Sequence, residues 1–193
     1  SYNSAVNAKN MILEDYPDAK IEVIDSTLNT VEEGIFVKEA ARMKADGVSF
    51  EECVKTLDRI KSTGRIIFTI GNMDYLIHGG RVGKVLGGAV NMLGIKPMIL
   101  MKDGEIFSSG VARSRKKSID KLLIQIKEHF VNNNLDVNKY EIVVGYGYDY
   151  EEAVSFRDKV LESVKEYSDI SSIDIYQIGA TVGVHTGPYP LGV

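Results

Sequence analysis

The sequence predicts an α/β protein built on a mixed sheet, and three observations carry that prediction. Short β-rich runs, among them RIIFTIG at 65–71, EIVVGYGY at 141–148 and SIDIYQI at 172–178, are separated by stretches long enough for amphipathic helices. Asp103-Gly104 stands between two further β-rich runs and signals a tight hairpin of strands near 97–102 and 105–111. Apolar residues make up 44% and charged residues 26% of the 193, the balance of a globular protein with a substantial core.

The first section reads in order as helix, strand, helix, helix. SYNSAVNAKNMILEDY (1–16) puts Ala5, Ala8, Ile12 and Leu13 on one stripe and stops at Tyr16-Pro17. KIEVIDS (20–26) reads as a buried strand closing in Asp25-Ser26-Thr27. Ligands in open α/β sheets bind beyond the C-terminal ends of strands, so Ser26 is a candidate contact; equally, Ser26 or Thr27 merely opens the next helix. That helix spans Val31 to Ala45 and is stopped by Gly47. Ser49 with Glu52 three residues later forms a capping box for a helix to about Ser62, in which Cys53 sits as a small core residue. Thr63-Gly64 is the expected boundary between a 1–63 section and a 64–193 domain.

The second section opens with the 65–71 strand and reaches its most unusual stretch at once. GNMDYLIHGGRVGKVLGGAVNMLGIKP (71–97) scatters glycines among apolar residues beside Arg81 and Lys84. Such a turn can offer backbone N–H groups and a cation to an anion. After it, 85–95 reads as an apolar helix with one small-residue face, ended by Lys96-Pro97. Ser114 to Asn132 is an amphipathic helix with Ile119, Leu122, Leu123, Ile126 and Phe130 inward. Its first turn carries Arg115, Lys116 and Lys117, which oppose the helix dipole and hint at a purpose beyond solvation. A helix over 151–167 and strands at 172–178 and 181–184 complete the chain, the last delivering His185-Thr186-Gly187-Pro188 into a cleft.

Composition and motif spacing exclude several functions. With a net charge of −4 and no basic block, phosphate-driven nucleic acid binding is not expected. The longest uncharged stretch, Val85 to Ile95, is too short to span a bilayer, and no basic-then-apolar leader argues for export. The lone Cys53 fits a reducing, cytoplasmic setting. GGRVGKV fails the phosphate-loop pattern, with three residues between Gly79 and Gly83 and Val85 after Lys84. VGYGYDY fails the dinucleotide fingerprint at Tyr150. No metal site is expected, because His78, His129 and His185 lie far apart without ligand spacing. His129 reads as a surface residue and His78 as a local hydrogen-bond partner.

SYNSA at the start, VIDS at 23–26, MDYLIHGGRV at 73–82, LGIKPMILMKDGEI at 93–106, RSRKK at 113–117 and VGVHTGP at 182–188 together resemble the DegV family of bacterial lipid-binding proteins. The resemblance covers nearly the whole chain. It implies a two-domain α/β protein that holds one long-chain fatty acid between its domains, with no cofactor and no catalytic residue. It further implies the acyl-carrying subunit of bacterial fatty acid kinase, presenting the carboxylate to a separate ATP-binding kinase subunit that makes acyl phosphate for phospholipid synthesis. His185 matches the family's HTG motif and is the expected carboxylate contact, with Thr186, Arg81 and Ser26 as further candidates. Arg113 and Arg115 match the basic motif, where contact with the kinase or its phosphates is expected. Tyr189-Pro190 departs from the small residue usual after HTGP. The family extends further at the N-terminus, so 1–63 is expected to be the C-terminal part of a first domain and 64–193 a complete second one. Two other readings stand beside this: a stand-alone phosphotransferase, and a lipid-binding or regulatory module without kinase coupling. Transient contact with a membrane surface fits either lipid reading.

Overall fold

The computed structural model describes residues 1–86 and 94–193. Three helices come first: α1 (Tyr2–Asp15), α2 (Thr30–Ala45) and α3 (Phe50–Ile60). Helices α2 and α3 share a small cluster of Phe36, Met43 and Leu57, with Cys53 packed against it. The N-cap half of the expected capping box is present, Ser49 Oγ accepting from the Glu52 N–H at 3.3 Å. The strand expected over 20–26 does not form. A strand exists only where a neighbour takes its backbone groups, and no described strand lies alongside this segment.

The sheet lies wholly after residue 63. Its strands are β1 (Ile66–Thr69), β2 (Lys96–Lys102), β3 (Glu105–Ala112), β4 (Val143–Tyr146), β5 (Asp174–Gln177) and β6 (Leu191–Gly192). They run in the order β3-β2-β1-β6-β4-β5, with β4–β5 the parallel pair. The hairpin turn takes positive φ at both Asp103 (52°) and Gly104 (77°), the backbone that suits a two-residue connection. Between and around the strands lie α4 (Asp74–His78), α5 (Val82–Leu86), α6 (Arg115–Asn132), α7 (Tyr150–Val164) and α8 (Ala180–Thr186). The glycine-faced helix expected over 85–95 falls largely on residues 87–93, outside the described residues.

Alternation along the strands assigns the two faces of the sheet. Ile67, Met98, Val144 and Leu191 pack with Ile119, Leu122 and Ile126 of α6 and Phe156, Val160 and Val164 of α7. Each such side chain contributes about 1.5–3 kcal/mol when fully buried. One residue along, Phe68 and Ile99 turn the other way and join Ile70, Met73, Leu76 and Val85. His129, expected at the surface, is half-buried with its ring edge on Phe130 at 5.4 Å, and burial lowers its pKa. Helix α2 leans on the second face: Val31 packs on Gly145, and Lys38 Nζ reaches Glu141 at 2.6 Å. Among the described residues no helix is long and apolar enough to cross a membrane.

Candidate functional site

A cavity of about 300 Å³ opens on the sheet face that α6 and α7 leave free. Ile66, Phe68 and Met101 form its floor, Leu76 of α4 and Val182 of α8 its walls, and Asn29, Thr30 and Val31 at the head of α2 close one side. Its volume is at the lower end of the roughly 300–1,000 Å³ of small-molecule pockets. The walls are mainly apolar, and the polar side chains are those of Asn29, Thr30, Arg81, Glu105, His185 and Thr186.

Thr30 is held in an uncommon conformation. Its φ is 48° and that of Thr27 is 58°, a left-handed region that β-branched residues rarely enter. Such strain costs on the order of 1–3 kcal/mol and persists only where the surroundings impose it. They do so here: Ser26 Oγ donates to Glu33 Oε2 at 2.6 Å and accepts from the Leu28 N–H at 3.2 Å, while Thr27 lies against Gly104. In this loop the Thr30 hydroxyl is buried, with no hydrogen-bond partner among the described residues.

His185 sits on a helix, correcting the strand expected at 181–184. The seven residues of α8 include Thr181, Val182 and Val184, whose β-branching suggests a strand. Packing against α4 overrides that preference. The His185 ring lies against Gly79, where a Cβ would overlap it, and its Nδ1 is buried with no partner among the described residues. Gly187, at φ 73°, then turns the chain beneath the Tyr75 ring, where a Cβ would again overlap. Thr186 is buried, its hydroxyl donating to the Val182 carbonyl at 3.3 Å. Arg81 is at the exposed mouth, with Nη1 on the Gly79 carbonyl at 2.6 Å.

A family model described as an uncharacterised protein of the DegV family matches residues 1–193. The chain belongs to the DegV family. A DegV domain-containing protein of Clostridium perfringens is 32% identical over 194 residues, covering 100% of this chain and 64% of the relative. A solved stearic-acid-binding protein of Eubacterium ventriosum is 43% identical with a TM-score of 0.85, covering 100% of this chain and 64% of that one. A DegV protein of Ruminococcus gnavus, solved with vaccenic acid, has a TM-score of 0.82 at 23% identity and covers 99% and 66%. At that identity it speaks for the fold alone. The chain thus spans about two thirds of the length of these relatives.

Of the DegV-motif residues, the structure brings His185, Thr186 and Arg81 to one cavity and leaves three elsewhere. Ser26 is outside the lining, tied to Glu33. Arg113 is exposed beyond β3. Arg115 pairs with Glu152 of α7 through Nε–Oε1 at 2.9 Å and Nη2–Oε2 at 2.6 Å, with Nη1 buried and unpartnered. It borders a second, polar pocket of about 390 Å³, with Lys96, Asp149 and Tyr189, on the other side of Thr186. His78 donates from Nδ1 to the Asp74 carbonyl at 2.7 Å, a local role. Sequence reasoning missed Thr30, which reads as an ordinary helix start, and Glu32, which reads as an acidic complement to the α2 dipole. Burial pushes the Glu32 carboxyl up to about 7, with Arg65 pulling down and Glu33 adding to the rise.

Proposed function

We propose that the intact protein binds a long-chain fatty acid, its alkyl chain along the apolar walls and its carboxylate at the Thr30, His185 and Arg81 end. The observation that carries this reading is a pair of buried polar atoms, Thr30 Oγ1 and His185 Nδ1, left without partners among the described residues, in side chains that line a mainly apolar cavity. Unmet buried polar groups are costly, and a carboxylate accepts several hydrogen bonds at once. The hydroxyl, the imidazole and a nearby guanidinium answer the requirement that a buried charge be bonded. The alkyl chain gains about 0.8 kcal/mol per buried methylene. The stearic-acid-binding relative supports the same chemistry.

The reading extends to the rest of the protein. Residues 1–63 belong to a first domain and 64–193 form a second, with the ligand between them in the cytoplasm. The protein is non-catalytic and presents the carboxylate to a separate ATP-binding kinase subunit, which forms acyl phosphate for phospholipid synthesis. Exposed Arg113, next to the helix that bears Lys116 and Lys117, supports docking of such a partner. A lipid-binding module without kinase coupling is the second reading, favoured by the fact that Arg115 is committed to Glu152. Solvent extraction of the purified intact protein with mass spectrometry of the extract tests the main claim. One stoichiometric long-chain acyl species is expected, and recovery of none would contradict it.

A further inference from the structure

One acidic group takes no part in the contacts above. Glu32 is in the first turn of α2, and its Oε1 is buried without a hydrogen-bond partner. The carboxyl lies against Gly64, where a Cβ would overlap it. The charges facing it are Glu33 from its own helix and Arg65 from the segment entering β1. Arg65 is engaged elsewhere, its Nη1 donating to the Ser62 carbonyl at 2.8 Å and to the Gly64 carbonyl. On α6, His129 faces the same guanidinium, which with burial disfavours its charged form. Among the described residues Glu32 therefore has no counter-ion bonded to it. Burial keeps its proton on to about pH 7.

The position of this contact matters more than its charge. Val31, one residue before Glu32, and Ile66, one residue after Arg65, both line the cavity. Val31 also packs on Gly145 of β4. The Glu32–Gly64 contact thus lies within two residues of the cavity lining on each of its two sides. We propose that Glu32 is a positioning residue that couples proton binding to closure of the cavity. With its carboxyl protonated, α2 seats on Gly64 and the wall formed by Thr30 and Val31 is closed. Ionised, the group needs water or a counter-charge, the head of α2 lifts, and the ligand is held less tightly. The sign follows from linkage: seated Glu32 binds its proton more tightly than the unfolded chain does. The resulting stability is full below the ordinary value of 4.5 and is lost as pH rises through about 7.

The identity of the ligand rests on the fatty-acid reading, so the test has one arm without ligand. The intact protein and its Glu32→Gln variant are compared at pH 5.5 and 8.5 by thermal unfolding, and by calorimetry with a hexadecyl sulfonate probe that stays anionic throughout. The wild-type midpoint is expected to fall by on the order of 2–4 °C between the two pH values, and that of the variant to stay level. Sulfonate affinity is expected to fall about tenfold in the wild type and less than threefold in the variant. Parallel midpoint profiles overturn the proposal. A wild-type midpoint shift with parallel affinity profiles overturns the coupling to the cavity. A wild-type midpoint shift with no sulfonate binding at either pH supports the proton-linked seating and overturns the fatty-acid reading instead.

Discussion

On one side of Thr186 lies the apolar cavity, where Thr30 Oγ1 and His185 Nδ1 are buried without partners. On the other lies the polar pocket, where Arg115 and Glu152, about a quarter exposed, meet through two hydrogen bonds. The same short segment after α8 serves both. Buried polarity that is answered within the chain holds elements together, here α6 to α7. Buried polarity left unanswered in an apolar setting costs stability, and the proposed carboxylate is what would answer it. Arg115 Nη1 is the exception on the paired side, a buried NH2 group with no hydrogen-bond partner among the described residues.

The largest expected effect breaks the unanswered side. His185→Ala in the intact protein should weaken stearate binding ten- to a hundredfold, since a hydrogen bond to a charged group is worth about 1.5–3 kcal/mol. Its unfolding midpoint should hold, because no bond within the chain is lost at Nδ1. A lowered midpoint with normal stearate affinity in calorimetry would make His185 a structural residue.

Glu152→Ala inverts that pattern. It leaves a half-buried guanidinium unpaired, at a cost of about 1–2 kcal/mol once solvent screening is allowed for, read as a lower urea midpoint. Stearate affinity should stay within about twofold of the wild type. A tenfold loss of affinity would mean that the two pockets are not separate in role.

Thr30→Gly gives a smaller and mixed effect that sharpens the contrast. Glycine accepts the φ of 48° without strain, so thermal stability should hold or rise. Removing the hydroxyl should weaken stearate binding about three- to tenfold. Loss of stability with intact binding would assign Thr30 to the loop alone. Smallest of all, Arg113→Ala should leave both stability and stearate binding unchanged and, under the proposed kinase coupling, slow acyl phosphate formation by that partner. Normal turnover at physiological salt would reduce Arg113 to a solvated cation.

Legibility in the sequence follows the range of the forces concerned. The β2–β3 hairpin, α6 and α7 were readable because Asp103-Gly104 and the apolar periods of 119–130 and 153–164 are local signals. Residues 20–26 carry a strand-like pattern, but pairing depends on a distant neighbour. The two-residue β6 offers no period at all, and the β-branched residues of α8 point away from the helix that packing against α4 imposes. His185, Thr186 and Arg81 could be found by motif. Thr30 and Glu32 could not, because both look like routine helix-start residues. Only the third dimension, Gly64 against one and an apolar cavity against the other, makes them unusual.

The account stands on a carboxylate meeting the unanswered groups, and the most direct measurement varies that group alone. Palmitate and hexadecanol, of equal chain length and delivered from cyclodextrin, are titrated into the intact protein at neutral pH by calorimetry. Palmitate is predicted to bind at least about tenfold more tightly, the worth of one charge-assisted hydrogen bond. Equal affinity would show that the alkyl chain alone is recognised, and would contradict the assignment of Thr30, His185 and Arg81 as a carboxylate site.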